Sequence, residues 1–448
     1  MTVGSPVKNI VRFCLPLIVG NLFQQFYNMA DLLIVGRFVG KTALSAVGSV
    51  GSLMFLVIGS IIGLCTGLTI PVAQAFGAQD EKRLKNTVAN ILYVSLFLGA
   101  VLTAGAVCGA NLLLRVLNTP DVIYRDAYDY IVIIFSGISA TMLYNLLAGL
   151  IRALGDSRTP LYFLVFSSLL NIGLDLLLVI AFRMGVRGAA FATIASQAVS
   201  GVLCLVYVGR SFPVLHFGKD TAQLDFRRIG YLLKNGLPMA LQFSITAIGS
   251  VMLQSCVNGL GEDAIAAMTI GGKTQLMIVL PGETIGLTMA TYTGQNLGAK
   301  KYGRIKHGVG VALGLSLAYS VAAFFIAHFA GRTIALLFIA ASETAVLDLV
   351  DDFLRICSWF YPVLVVIFVL RNTLQGMGYS LTAMSAGIFE LVARAVGGFG
   401  FVTRLGFDAV CFVNPAAWAA ADLLLVPACF IAMSRVKKKL RPPEETQT

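Results

Sequence analysis

Charged side chains are scarce in this chain: Asp, Glu, Lys and Arg together make up 12% of its 448 residues. Soluble domains normally carry about 25% charged residues, so a water-soluble globular fold is excluded. Long stretches, such as 86–114 and 235–261, carry none, and a membrane-spanning helix needs roughly 20 apolar residues. The hydrophobic fraction of 57% agrees, so the lipid bilayer is the expected solvent.

Catalytic and metal-binding motifs are also missing. The chain has three histidines and no GxSxG, HExxH or Walker phosphate-binding sequence. Serine hydrolysis, zinc-dependent proteolysis and ATP-driven transport by this chain alone therefore lack their parts. The eight cysteines are scattered singly, with no CxxC pair, which favours small core residues over a redox or metal site. We expect neither an enzyme nor a resident cofactor.

Basic residues are concentrated in alternate loops between the apolar segments, and we count Arg152, Arg158 and Arg371 among these loop residues. This asymmetry is typical of cytoplasmic loops, so it accounts for the net charge of +11 without nucleic-acid binding. No signal-peptide cleavage site follows the first apolar segment, which we expect to be retained. We therefore predict a multi-pass protein of the bacterial cytoplasmic (inner) membrane with both termini in the cytoplasm.

The two halves of the chain resemble each other. The sequence "AQAFGAQDEKRLK" at Ala73 is similar to "TGQNLGAKKYGRIK" at Thr293, and "RALGDS" at Arg152 is similar to "QGMGYS" at Gln375, with offsets of 221 to 223 residues. Six spans, an even number, separate the copies, so the repeats must be parallel. We predict an all-α integral membrane protein with twelve transmembrane helices in two six-helix lobes, related by a pseudo-two-fold axis along the membrane normal. The predicted parts are the lobes 1–210 and 231–434, a cytoplasmic linker 211–230 and a basic cytoplasmic tail 435–448.

Ionisable residues inside predicted spans are the candidates for function, because each costs roughly 2.5 to 3.5 kcal/mol at mid-helix. Asp31 is such a residue in the first span. Gln24, Tyr27 and Asn28 precede it by seven, four and three residues, so all four share one helix face. We predict that this polar stripe binds an ion and a substrate, although Asp31 could also reach interfacial water and Arg37.

A second polar pair lies in the fifth predicted span. Asn171 and Asp175 are one turn apart in "NIGLD", deep within an apolar segment. Their oxygen atoms suit either a proton on the carboxyl group or a small hard cation. The alternative is a hydrogen bond between helices that only holds packing.

The second half offers weaker candidates. Glu283 follows Pro281 and Gly282, which free backbone carbonyl groups, and it could face a cleft or pair with Lys273. Glu390 precedes Arg394 by four residues, a spacing that favours an internal salt bridge. Glu283 and Glu390 remain candidates for a second-lobe site.

Taken together, these segments resemble the multidrug and toxic compound extrusion (MATE) transporters over nearly the whole chain. The resemblance rests on "QQFYNMADLLIVGRFVG", "AQAFGA", "GQNLGA", "RALGDSRTP", "NIGLD" and "GVRGAAFATIASQ". It implies a prokaryotic subgroup that binds protons or sodium ions in the amino-terminal lobe. Four positions match this cation site, namely Asp31, Asn171, Asp175 and Thr193. If the protein is sodium-coupled, the resemblance implies that the same four residues are the Na⁺ ligands.

The chain departs from a different subgroup of that family, which carries an acidic residue in span seven. Here that span has Gln242 and Gln254 but no acid. We therefore expect cation coupling mainly in the amino-terminal lobe.

The expected function is secondary antiport, in which lipophilic and often cationic organic compounds are exported in exchange for H⁺ or Na⁺ by alternating access. The expected partners are small organic substrates, the coupling cation and the lipid bilayer, and we expect a monomer. A lipid-linked saccharide flippase of the same broad superfamily is the alternative. It would need basic residues in the cleft to hold a pyrophosphate.

Overall fold

The computed structural model describes residues 1–117, 119–215 and 222–440, without the side chains of Lys41 and Thr403. Within these ranges the long elements are helices, and twelve segments are long and apolar enough to cross a membrane if each bent helix pair counts as one. The prediction of twelve spans is therefore confirmed. In chain order, spans 1 to 12 are Pro6–Val39, Gly51–Gly77, Glu81–Val116, the pair Asp121–Ser136 and Ile138–Ala153, Arg158–Ala181, Val186–Ser211, Phe226–Leu260, Glu262–Gly298, Tyr302–Phe329, the pair Thr344–Ser358 and Tyr361–Gly376, Ser380–Val402, and Phe407–Leu440.

Spans 4 and 10 are each a pair of helices, bent by 48° and 60°. The bend of span 4 lies at Gly137, between its two helices. In span 10 the second helix begins with Tyr361 and Pro362, and the proline cannot donate a backbone hydrogen bond to the preceding turn. The bends occupy equivalent places in the two halves.

The backbone confirms the internal repeat independently of side chains. Most residues with a positive φ occur in pairs at the predicted offset, and outside glycine this conformation is strained. Gln79 and Lys300 have φ of 55° and 57°, at the turns that precede spans 3 and 9. Gly185 and Gly406 have φ of 60° and 68° before spans 6 and 12. Each half therefore folds through the same sequence of turns.

The chain forms two compact units. The amino-terminal unit is Leu15–Ala240, and the carboxyl-terminal unit is Met1–Cys14 together with the chain from Leu241 onward. The lobe boundaries given above stay a prediction. Of the predicted linker and tail, residues 216–221, which include His216, Lys219 and Asp220, and residues 441–448 lie outside the described residues.

The part of the linker that is described is bound to span 3. The hydroxyl of Tyr93 donates to the carbonyl of Ala222 at 2.8 Å, and the amide N–H of Asp225 donates to Oδ1 of Asn90 at 2.8 Å. Span 7 begins directly afterwards, at Phe226. These bonds fix the entry of the seventh helix within the amino-terminal unit.

Large apolar side chains are exposed on the spans, as a lipid-facing surface requires. Leu96 on span 3 is 74% exposed, and Phe430 on span 12 is 72% exposed. The cysteines are free thiols, and all but Cys108 are buried. The prediction that the cysteines are small core residues is therefore confirmed for the seven buried ones and is wrong for Cys108.

Candidate ion and substrate site

Spans 1 and 5 bring two predicted acids together in the amino-terminal unit. The carboxyl groups of Asp31 and Asp175 lie within hydrogen-bonding reach of each other. Asp175 is completely buried and Asp31 is half-buried. Oδ1 of Asp31 and both carboxyl oxygens of Asp175 have no hydrogen-bond donor among the described residues. Two adjacent buried carboxyl groups do not readily ionise together, and they are able to share a proton or to hold a cation.

Asn171 and Thr193 complete a set of oxygen atoms beside this pair. Nδ2 of Asn171 donates to Oγ1 of Thr193 at 3.4 Å, and the Thr193 hydroxyl donates to the carbonyl of Ala189 at 3.0 Å. The amide oxygen of Asn171 is buried and has no donor within the described ranges. Carboxylate, amide and hydroxyl oxygens are the ligands of hard cations such as Na⁺, and they also serve a proton.

Two tyrosines border the carboxyl pair. The hydroxyl of Tyr27 lies close to Thr193 and to both acids. Tyr130 of span 4, 6% exposed, faces Asp31, Asp175 and Tyr27. The sequence did not identify Tyr130, because its helix face is apolar and no spacing rule connects span 4 to spans 1 and 5.

Both acids stand where an α-helix widens. Asp175 is the last residue of the α-helical part of span 5, and the wider turns Leu176–Ala181 follow it. Asp31 lies four residues before the similar segment Val35–Val39 in span 1. Such π-helical turns shift the hydrogen-bond ladder by one residue and are frequent at functional sites.

A cavity of about 130 Å³ lies within the same unit, between spans 1, 2, 4, 5 and 6. Gln24 and Tyr27 line it, whereas Asn28 is exposed and is not part of the described lining. Tyr27 thus belongs both to the cavity wall and to the surroundings of the carboxyl pair. The other polar lining residues are Asn21, Thr141, Tyr144, Asn145, Arg152, Ser167, Ser168 and Gln197.

The carboxyl-terminal unit contains a separate ionic cluster around Glu390. This carboxylate forms ion pairs with Arg371 and with Arg394, the latter at 3.3 Å, and Nε of Arg394 donates to Oδ1 of Asn414 at 3.2 Å. The predicted salt bridge between Glu390 and Arg394 is confirmed. Arg371 was counted as a loop residue, and that assignment is wrong, because it lies within span 10 and is 11% exposed.

Glu283 and Asp422, the other two candidate acids of this unit, have fewer polar partners than Glu390. Glu283 is exposed on span 8 and close enough to Arg371 to feel its charge. Lys273 does not pair with it in the described part of the chain, since its ammonium lies 5.7 Å from the centre of the Phe338 ring. Asp422 has one buried carboxyl oxygen without a donor among the described residues. These acids differ from the oxygen-only site of the amino-terminal unit, because the positive charges of Arg371 and Arg394 already compensate negative charge among them.

Twelve candidate spans, an apolar outer surface and a polar cavity in the amino-terminal unit define a multi-pass membrane protein with an internal cavity. A family model described as MatE matches residues 16–177 and 238–399, one copy in each half. The chain belongs to this MATE family of membrane transporters, as the sequence motifs indicated.

Individual relatives agree over most of their length. The chain is 28% identical over 430 residues to the "Probable multidrug resistance protein YoeA" of Bacillus subtilis, covering 93% of this chain and 92% of that protein. It is 30% identical to the "Probable multidrug resistance protein YpnP" of the same organism, covering 86% and 85%. A solved structure of an outward-facing multidrug resistance MATE family transporter superposes with a TM-score of 0.89 at 23% identity, covering 97% of both chains. This likeness confirms the predicted fold.

Proposed function

We propose that this protein is a secondary antiporter that exports lipophilic, often cationic organic compounds in exchange for H⁺ or Na⁺. Export of such compounds is supported by its relatives, which are named as probable multidrug resistance proteins. The observation that carries the coupling proposal is the acid pair Asp31 and Asp175, whose buried oxygens lack donors within the described residues. The expected location is the cytoplasmic membrane of a bacterium.

The acid pair binds the coupling ion in this proposal. Two ionised carboxylates within hydrogen-bonding reach repel each other strongly, and burial in a low-dielectric interior increases the repulsion. One proton or one sodium ion removes this repulsion, and the oxygen atoms of Asn171 and Thr193 supply further ligands. The unit therefore differs in free energy between its ion-bound and ion-free states, which is what a coupled transporter requires.

Tyr27 connects ion binding to substrate binding. It lines the cavity and reaches Thr193 beside the acid pair. When an ion draws Thr193 and the carboxyl groups together, the position of the Tyr27 ring changes, and with it the shape of the cavity. Ion and substrate then compete through one side chain, so that entry of the ion favours release of the substrate.

The experiment is dye efflux from proteoliposomes that contain the purified full-length chain. A pH gradient and a sodium gradient are applied separately, with a cationic xanthene dye as the substrate. We expect one of the two gradients to drive dye movement, and collapse of that gradient by an ionophore to stop it. Dye movement that neither gradient changes would rule out secondary antiport.

The coupling ion also has a signature that does not depend on transport. A ligand that binds only the folded state at 100 times its Kd stabilises it by about 2.7 kcal/mol. If sodium is the coupling ion, replacing choline chloride by sodium chloride raises the melting temperature of the purified protein. A proton-coupled protein shows no such difference at constant pH and ionic strength.

A further inference from the structure

Arg152 occupies an unexpected position. The sequence assigned it to a loop, but it lies in the last turn of the helix Ile138–Ala153, and its side chain lines the cavity of the amino-terminal unit. Helical side chains lean toward the amino terminus of their helix, so an arginine in the last turn of span 4 points back into the helix bundle. The guanidinium therefore belongs to the interior.

No carboxylate neutralises this guanidinium in the described part of the chain. Neither an ion pair nor a hydrogen bond joins it to another described residue, and the ionisable groups that act on it are Tyr144, Cys204 and Cys65. These side chains are uncharged at neutral pH. Arg371 and Arg394 of the other unit, by contrast, share the carboxylate of Glu390. An unpaired charge within membrane-spanning helices is costly and marks a ligand path.

The rest of the cavity suits an anion as well. Its described lining contains no acidic side chain, and it includes the amide of Asn145 and the hydroxyls of Tyr144 and Ser168 in addition to Arg152. Its volume of about 130 Å³ is close to that of a protein cavity that holds one benzene ring. The cavity thus accepts a group of the size of one substituted aromatic ring.

Neither acid of the pair forms an ion pair with Arg152 within the described ranges. Arg152 and Arg158 flank the tight turn between spans 4 and 5, whereas Asp175 lies 17 residues further along span 5. At 1.5 Å per residue this is roughly 25 Å along the helix axis. This is the separation of the two backbone positions; the cavity itself extends from Arg152 to Tyr27, which borders the acid pair.

We propose that Arg152 binds a carboxylate carried by the transported compound, so that the substrates include aromatic anions and zwitterions. A guanidinium presents two parallel N–H donors that match the two oxygens of a carboxylate. The proposal rests on the function proposed above and narrows its substrate class. It adds recognition of an acidic group to the binding of a lipophilic body.

Two dyes test the charge recognition. Rhodamine 123 is the methyl ester of rhodamine 110, so the pair differs in one free carboxylate on the same ring system. Binding to the purified full-length protein is measured by fluorescence anisotropy at constant pH and ionic strength. We expect the wild type to prefer rhodamine 110. In Arg152→Gln this preference, expressed as the ratio of the two Kd values, falls about tenfold or more, as expected for the loss of a charged hydrogen bond.

Matched variants separate recognition from folding. Arg158→Gln removes an exposed arginine six residues away, at the same end of the unit, and should keep the wild-type ratio. Arg152→Lys keeps the charge and should retain part of the preference. If Arg152→Gln does not fold, a competition experiment with the wild type still tests carboxylate recognition. Benzoate is then expected to displace rhodamine 110, whereas benzamide, which has no charge, is expected not to displace it.

The outcomes distinguish this inference from the proposed function. A ratio that is unchanged in Arg152→Gln, or benzoate that does not compete, overturns the role of Arg152. Export of rhodamine 123 without binding of rhodamine 110 also overturns it, while leaving antiport of cationic compounds intact. If neither dye binds to or is exported by the wild type, the proposed function fails as well.

Discussion

The hydroxyl group of Tyr27 lies close to Thr193, so that one side chain joins the wall of the cavity to the surroundings of the acid pair. Tyr27 and Thr193 come from spans 1 and 6. A displacement of the acid pair on ion binding is therefore transmitted to the cavity wall through a single side chain, that of Tyr27.

Tyr27→Phe is expected to weaken the link between ion and substrate. The variant keeps the ring but loses the hydroxyl, so the cavity retains its shape while the contact to Thr193 disappears. Dye affinity, measured with and without the coupling ion, should depend on the ion several-fold less than in the wild type. Tyr144→Phe removes a hydroxyl from the same cavity away from the acid pair, and it should change affinity while the ion dependence persists. Equal ion dependence in Tyr27→Phe and the wild type would contradict the link.

Asp31→Asn and Asp175→Asn are each expected to lower ion-driven export tenfold or more. Each removes one negative charge from the site, and a charge about 4 Å from a bound cation contributes about 4 kcal/mol at an effective dielectric constant of 20. The measurement is initial dye efflux under an imposed gradient, normalised to the amount of folded protein. Asp422→Asn, a matched change on span 12 in the other unit, should retain most of the activity. If Asp422→Asn lowers ion-driven export more than Asp31→Asn and Asp175→Asn do, coupling belongs to the carboxyl-terminal unit instead.

Glu390→Gln is expected to destabilise the protein rather than to abolish coupling. Glu390 is 6% exposed and is shared by Arg371 and Arg394, so its removal leaves two buried charges without their partner. Breaking such a buried pair costs about 3 to 5 kcal/mol. Thermal unfolding in detergent should show a clearly lower Tm.

The control for Glu390→Gln is Asp351→Asn. It breaks the ion pair of Asp351 with Arg355, whose distance is 2.9 Å but whose arginine is 54% exposed. Exposed pairs contribute about 1 kcal/mol or less. If the two variants melt at the same temperature, Glu390 does not stabilise the unit in the way argued here.

Gly137→Ala is expected to disturb the bend of span 4 by steric conflict. A Cβ atom at Gly137 would meet the side chain of Ile194, with its Cδ1 at 2.6 Å and its Cγ2 at 2.7 Å. Overpacking of this kind costs about 1 to 3 kcal/mol. The double variant Gly137→Ala with Ile194→Ala should recover much of the lost stability in the same unfolding assay, since the shortened side chain makes room. Additive destabilisation by the two changes would argue against the conflict.

The sequence was sufficient for the architecture because the membrane limits the choices. Every span had to be an apolar helix, and the repeated turns around Gln79 and Lys300 fixed the register of the two halves. The bends of spans 4 and 10 were not predicted, because Gly137 and Pro362 also occur in ordinary transmembrane helices. Only packing against neighbours decides whether such residues bend a helix.

The site was predicted in part, for a physical reason. Asp31 and Asp175 are conspicuous because a buried acid costs free energy wherever it stands. Tyr130 is compatible with lipid, core or site, and the sequence cannot separate these environments. Arg152 and Arg371 stand near the ends of spans, where counting basic residues assigns them to loops, although the lean of helical side chains turns them inward.

The paired left-handed turns also bear on the history of the chain. Gln79 and Lys300 differ in chemistry but share nearly the same φ, so the backbone was retained while side chains diverged. At the offset of 221 residues, Asp31 and Asp175 correspond to Met252 and Val396, which are apolar. A duplicated six-helix ancestor, fused to its own copy in one orientation, accounts for both facts. The two copies then diverged. The first kept or acquired the acid pair, and the second carries the Glu390, Arg371 and Arg394 cluster instead.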